Sequence, residues 1–221
     1  ALVGALLERT AYRPLRESPR LSAVVSALGA SIFFQNAMML IYGARLQVYP
    51  QGILPRTAVN LFGLYLPLVK LLILLASVVI MAALYLYIHK TRIGTAIRAA
   101  AIDQGAARLM GIDVDRVILI VFLIGPALGG LAGLMVGLLY GQINFTMGWV
   151  YGLKAFTAAI LGGIGNIPGA MVGGILLGVI EAMGAAYISI AWKDAIAFVV
   201  LILILIVRPT GLLGERVAEK V

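Results

Sequence analysis

Long apolar runs are the feature that most restricts how this chain can fold. Several of these runs are close in length to the span of about 20 residues with which an α-helix crosses the hydrocarbon core of a bilayer. The chain is 62% hydrophobic and 12% charged, whereas a soluble domain carries about 25% charged residues. Because the runs are continuously apolar rather than alternating, they disfavour a membrane β-barrel. We therefore predict an all-α, polytopic membrane bundle that forms a single transmembrane domain over residues 1–221.

The lengths of the apolar runs predict the number of membrane spans. Five spans are expected at about residues 21–41, 66–88, 117–140, 170–190 and 195–207. A turn-rich external loop is expected over about residues 42–65.

A shorter apolar element is predicted at about residues 153–163, where a cluster of glycines and a proline breaks the chain. About ten helical residues rise only about 15 Å, which is too short to cross a bilayer. We expect a re-entrant or broken helix, since such breaks often mark the path of a transported substrate. A tight hairpin between two full spans is the alternative interpretation.

The basic residues indicate how the chain is oriented. Formal net charge is +8, which could suggest nucleic-acid binding, but the arginines and lysines cluster in short segments between spans. The segment before the first span carries Arg9, Arg13, Arg16 and Arg20. By the positive-inside rule this segment, residues 89–116 and the C-terminal tail lie in the cytoplasm. We expect a multi-pass protein of the inner cell membrane and no nucleic-acid partner.

Residues 89–116 form a polar segment between two spans. Ile97 and Ala100 follow helical spacing, and Gly105 is expected to interrupt the helix before a second short helix begins. Gly111 suits the left-handed position that follows a helix end, and Asp113 suits the N-cap of the next span. The pattern predicts a short cytoplasmic helix–turn–helix, with a mere amphipathic linker as the alternative.

Four polar residues within or beside the apolar runs are candidates for the substrate path: Gln35, Asn36, Asn166 and Glu181. An amide in hydrocarbon needs a hydrogen-bond partner, usually on another helix. Asn166 either lines a path or caps a half-helix. Glu181 is the one carboxylate well inside an apolar run, so it contacts a substrate or proton, or it bonds a neighbouring helix.

A stripe of glycines marks the third predicted span. Gly125, Gly129, Gly133 and Gly137 recur at every fourth position, which places them along one helix face and allows close helix contact. Packing within the subunit is the favoured interpretation, and a seam with a partner subunit is the alternative.

Several classes of chemistry lack the residues they need. The chain has no cysteine and a single histidine, His89, so no zinc site of the usual kind can be built. No GxxxxGK[ST] loop and no GxSxG motif occur. We expect no metal and no cofactor in this chain, and transport driven by ATP would need an ATPase on another chain.

Four stretches carry a family resemblance. RAAAIDQGAARLMGID at residues 98–113 resembles the cytoplasmic coupling loop of ABC importer permeases, with Ala99 to Ala101 standing where that loop has an acidic–Ala–Ala triplet. Either Gly105 or Gly111 takes the place of the conserved glycine of that motif. LERTAYRPLR at residues 7–16, residues 154–181 and residues 193–215 resemble LivH-type permeases of branched-chain amino-acid ABC importers.

The resemblance covers essentially the whole chain and implies a function and an assembly. Such permeases usually carry further helices before the YRPLR stretch. We expect that this chain lacks those helices. Such permeases pair with a second, LivM-type permease, bind two cytoplasmic ATPase subunits that hydrolyse ATP, and receive leucine, isoleucine or valine from an extracytoplasmic binding protein.

The resemblance also implies a role for the polar segment, which would dock on an ATPase and shift the attached spans. The coupling candidates are Arg98, Ile97, Asp103, Arg108, Met110 and Gly111. An ion-coupled secondary carrier of small amino acids or amides is the alternative function, and it would need no ATPase. An intramembrane enzyme using Glu181 and His89 is disfavoured, because the expected topology places the two at different depths.

Overall fold

A computed structural model describes residues 1–15, 20–49, 58–61, 64–163, 165–208 and 210–214. Arg16, residues 50–57, 62 and 63 of the predicted external loop, and the tail from residue 215 lie outside the described residues. The described residues fall into two compact units, Ala1–Gly148 and Trp149–Val221. Helices dominate both units, which confirms the all-α prediction.

The α-helices that the structure describes are named in chain order. They are α1 Leu2–Leu7, α2 Arg20–Tyr42, α3 Leu68–Lys90, α4 Arg92–Ile102, α5 Gln104–Leu109, α6 Val114–Tyr140, α7 Met147–Gly162, α8 Ile167–Tyr187 and α9 Lys193–Val207. Short π-helical and 3-10 segments at Glu8–Tyr12, Arg13–Leu15 and Ile190–Trp192 accompany them.

Four of these helices, α2, α3, α6 and α8, are long and apolar enough to cross a membrane. Their bounds agree with four of the predicted spans to within three residues at each end. The fifth predicted span, at residues 195–207, corresponds to α9. That helix has 15 residues, fewer than the about 20 that a perpendicular span needs.

The short element predicted at residues 153–163 is longer than expected. Helix α7 begins at Met147 and has 16 residues, which gives it a length of about 24 Å. Gly148 and Gly152 lie within this helix, so neither glycine marks its start.

Two short antiparallel ribbons occur that were not predicted from the sequence. Strand β1, Gln47–Val48, pairs with β4, Gln142–Ile143, and the Tyr49 amide donates to the Gly141 carbonyl oxygen at 2.9 Å. Strands β2, Ala58–Leu61, and β3, Leu64–Pro67, pair with each other. The first ribbon joins the segment after α2 to the segment after α6.

In the first unit, α1 packs against α6. A Cβ added at Gly4 would collide with the Phe122 carbonyl oxygen and lie 3.1 Å from Pro126 Cβ. The rings of Tyr12 and Phe122 lie 4.8 Å apart between centroids. The basic segment that precedes α2 is therefore partly helical and held by α6.

In the second unit, α7 and α8 form a tightly packed hairpin. A Cβ at Gly173 would collide with the carbonyl oxygen of Ala158 and lie 2.8 Å from the Gly162 amide nitrogen. Leu161 and Leu177 are buried between the helices of this unit. The Leu212 amide donates to the Leu161 carbonyl oxygen at 2.8 Å, so the chain after α9 returns to the end of α7.

We predict that Gly173→Ala destabilises the hairpin by about 1–3 kcal/mol, because the added methyl group meets backbone atoms that cannot rotate away. The measurement is the thermal unfolding of the purified protein in detergent. The matched control is Gly178→Ala on the same helix, where an added Cβ meets nothing within 4 Å. That control should be neutral or slightly stabilising, because alanine favours helix more than glycine does. Equal loss in both variants would contradict the close approach at Gly173.

Candidate functional site

The polar segment contains two helices whose junction lies at Asp103. Thr91 caps α4 by accepting a hydrogen bond from the Gly94 amide at 3.0 Å. Asp103 Oδ1 accepts from the amides of Gly105 and Ala106 at 2.8 Å and 3.1 Å. The predicted interruption at Gly105 is therefore wrong by two residues, because the Asp103 carboxylate satisfies the free amides of a new helix.

The end of the polar segment follows the sequence prediction. Gly111 has a φ of +82° and directly follows Met110, the C-cap residue of α5, which is the left-handed position expected for glycine. Asp113 Oδ1 accepts from the Arg116 amide at 3.1 Å and so caps α6. Both predictions are confirmed, and the connection from α5 to α6 is short and held by hydrogen bonds.

A small buried cluster joins the polar segment to the start of α6. Its members are Ala100 from α4, Ala107 from α5, and Val114 and Val117 from α6. Ile97 is partly buried and packs against this cluster. Because three helices share one core, they are expected to move together rather than independently.

Three apolar side chains of the same segment are highly exposed. Ile102 at the end of α4 is 87% exposed, Leu109 at the end of α5 is 92% exposed, and the adjacent Met110 is 82% exposed. We call these three residues the apolar triad. Of the two apolar residues predicted to contact a partner, Met110 is available to one and Ile97 is engaged within the chain.

The polar segment and the start of α6 also carry exposed charged residues. Asp115 lies 3.8 Å from Arg13 and 3.9 Å from Arg108, in pairs with side chains about half exposed. Such exposed pairs contribute about 0–1 kcal/mol each, so they position side chains more than they stabilise the fold. Arg98 is exposed on α4, and Asp103 is occupied as a cap.

The second unit contains a charged cluster that links three helices. Lys154 Nζ of α7 lies 2.9 Å and 3.0 Å from the two carboxylate oxygens of Glu181 in α8, and 2.7 Å from Oδ1 of Asp194 in α9. The side chains of Lys154, Glu181 and Asp194 are 19%, 9% and 59% exposed. We call these three residues the ion-pair cluster.

Sequence reasoning found Glu181 but missed Lys154 and Asp194 as its companions. Two roles were left open for Glu181: contact with a substrate or proton, or a bond to a neighbouring helix. The structure shows a bond to Lys154 on a neighbouring helix. Lys154 and Glu181 are 27 positions apart, and charged residues inside apolar helices usually pair with one another. That rule could have predicted Lys154, whereas Asp194 depends on how α9 packs.

The three candidate amides occupy different environments. Asn166 Oδ1 accepts from the Gly169 amide at 2.9 Å and its Nδ2 donates to the Leu213 carbonyl oxygen at 2.9 Å, so it caps α8. Asn36 Nδ2 donates to the Ile32 carbonyl oxygen of its own helix at 2.8 Å, rather than to another helix as expected. Gln35 is half-buried on α2.

The glycine stripe of α6 has two kinds of environment. A Cβ at Gly137 would lie 2.7 Å from Tyr49 and 2.9 Å from Ile143, whereas one at Gly125, Gly129 or Gly133 meets nothing within 4 Å. Within the described residues, packing in this chain therefore accounts for Gly137 alone among the four. A seam with a partner subunit stays open for the other three.

Comparison with known proteins gives consistent matches along the chain. The family model for the permease component of branched-chain amino acid transport systems matches residues 1–205. The chain is 46% identical over 221 residues to the high-affinity branched-chain amino acid transport system permease protein LivH of Salmonella typhimurium. It is 45% identical to LivH of Escherichia coli K12 and to BraD of Pseudomonas aeruginosa.

Each of these alignments covers 99% of this chain and 72% of the relative. No solved structure gives a significant match.

We predict that Lys154→Met alone destabilises the protein by about 3–5 kcal/mol, because it leaves the buried Glu181 carboxylate without its cation. The double variant with Glu181→Met should regain most of that loss, since two apolar side chains replace the pair. Equilibrium unfolding in mixed micelles measures both variants. If the two substitutions destabilise additively, the two side chains do not act as a pair.

Proposed function

Because this chain belongs to the family of permease components of branched-chain amino acid transport systems, we propose that it forms part of the path of an ATP-driven importer. It is a multi-pass inner-membrane protein. The proposed cargo is a branched-chain amino acid, which the names of the related permeases support. Apolar helices rich in small residues offer walls suited to an aliphatic side chain.

The proposed importer needs subunits besides this one. The sequence has no P-loop, so we assign ATP binding and hydrolysis to two separate cytoplasmic ATPase subunits and no enzymatic activity to this chain. A second, LivM-like permease would complete the membrane path, and an extracytoplasmic binding protein would deliver the amino acid. The lipid bilayer surrounds the assembly.

We assign docking on an ATPase to α4 and α5, and the observation that carries this assignment is the apolar triad. Ile102, Leu109 and Met110 expose large apolar surfaces, whereas Ala100 and Ala107 of the same two helices are buried in a shared core. Apolar anchors that enter a partner's cleft contribute most of the affinity in helix-in-groove recognition. Arg98 and Arg108 would orient the encounter through long-range attraction, since charges near an interface mainly affect association.

The same geometry supports a route by which docking moves the membrane helices. Ala100 and Ala107 of the docking helices share a core with Val114 and Val117 of α6. A displacement of α4 and α5 by an ATPase would therefore tilt α6, because close-packed residues transmit strain. In this proposal Ile97 holds the docking helices on α6, and Gly111 permits the sharp connection.

The substrate-path candidates are weighed by what their side chains already bind. Both amide atoms of Asn166 are engaged in capping the hairpin turn, so we assign it a structural role. Gln35 and Asn36 on α2 remain proposed path residues. Glu181 remains one as well, as a member of the ion-pair cluster.

We predict that the double variant Leu109→Asp with Met110→Asp inserts into the membrane but no longer co-purifies with the ATPase subunits. Two carboxylates cannot enter an apolar cleft without losing their hydration. Uptake of labelled leucine should fall by about tenfold or more, since each 1.4 kcal/mol of lost affinity is tenfold.

The matched control is Gln104→Asp, which adds a charge to the same helix. Position 104 lies about 140° around the α5 axis from position 109, and its side chain is exposed. This control should keep ATPase binding. ATPase retention by the double variant, or its loss in the control as well, would contradict docking through the apolar triad.

A further inference from the structure

The two halves of the ion-pair cluster differ in their access to solvent. Glu181 and Lys154 are 9% and 19% exposed, and Asp194 is 59% exposed. An uncompensated buried charge is expensive, so the Lys154–Glu181 half must stay paired. Asp194 can separate from Lys154 at far lower cost, because water replaces its partner.

The helices that carry the cluster are held together independently of it. Ile196 of α9 packs against Gly184 of α8, where an added Cβ would lie 2.8 Å from Ile196 Cδ1. Because this contact fixes α9 beside α8, the distance between Lys154 and Asp194 can change by side-chain rotation alone. The exposed half of the cluster is thus a pair of opposite charges on fixed helices, and rotation of the side chains can change the distance between the charges.

We propose that an α-amino acid zwitterion inserts between Lys154 and Asp194. The substrate carboxylate takes the place of Asp194 on the Lys154 ammonium group, and the substrate ammonium group is bound by the released Asp194 carboxylate. Lys154 has three donors, so it keeps both oxygens of Glu181 while it exchanges its third acceptor, Asp194 Oδ1, for the substrate carboxylate. This inference rests on the proposed function, because it takes an amino acid as the cargo.

The charge arrangement discriminates among small ligands. A zwitterion leaves every charge of the cluster opposite a charge of the other sign. A carboxylate without an ammonium group adds a negative charge beside Asp194, and like charges in close contact repel. An amine without a carboxylate binds Asp194 but leaves the third donor of Lys154 without an acceptor. Specificity therefore comes from the penalty on ligands that lack either group.

The residues just before Asp194 suit an aliphatic side chain. In the 3-10 turn Ile190–Trp192, Ile190 is 79% exposed and Trp192 is 63% exposed. An apolar surface next to a pair of opposite charges matches a molecule with a zwitterionic head and a branched hydrocarbon tail.

The test is the binding of radiolabelled L-leucine to the purified transporter with its ATPase subunits and without the binding protein. Unlabelled L-leucine and 4-methylpentanoate, which lacks the ammonium group, serve as competitors. Asp194→Asn should weaken leucine by about tenfold and leave 4-methylpentanoate unchanged or more tightly bound, because the negative charge that repels its carboxylate is gone. The preference for the zwitterion would then shrink, because the group that recognises the ammonium is gone.

A purely structural role for Asp194 would weaken both competitors by the same factor, which would overturn the inference. So would an unchanged affinity for leucine in Asp194→Asn, or no leucine binding by the unaltered transporter up to about 10 mM. Asp194→Glu retains the carboxylate and should recover most of the preference for leucine. Co-purification of the ATPase subunits with the unaltered protein is measured in parallel. Failure of the ATPase subunits to co-purify would contradict the proposed function, whereas failure of leucine discrimination alone would contradict the zwitterion site.

Discussion

Hydrocarbon offers no partner to a polar group, and this constraint governs which contacts hold the membrane part of the protein together. The Lys154 ammonium is held by Glu181 and Asp194 on two other helices. The Asn36 amide returns to its own helix, and Asn166 satisfies backbone groups at the hairpin turn. Each of these polar groups has a partner, on another helix, on its own helix or at a turn.

The polar segment obeys a different rule, because water satisfies whatever the protein leaves open. A small cluster around Ala107 and Val114 is buried there, which is enough to fix α4 and α5 on α6. The apolar triad remains outside that core. In the proposed function this exposed apolar surface is the contact site for an ATPase, and the shared core with α6 would transmit a displacement of the docked helices.

Local patterns in the sequence predicted local structure well. The lengths of the apolar runs identified α2, α3, α6 and α8. The left-handed backbone at Gly111 and the N-cap at Asp113 were both predicted from the residue types just before α6. The start of α7 was missed because glycine weakens a helix without ending it when packing compensates. The cap at Asp103 was missed because glycine was taken as the breaker.

The ion-pair cluster shows the limit of such reasoning, since its members lie on three helices and meet only through tertiary packing. The most direct test of the account is leucine uptake by proteoliposomes that contain the complete transporter, with ATP inside and the binding protein outside. A protonophore removes the proton gradient. The account predicts uptake that requires ATP and is unaffected by the protonophore. Uptake that persists without ATP and is abolished by the protonophore would contradict it and identify an ion-coupled carrier.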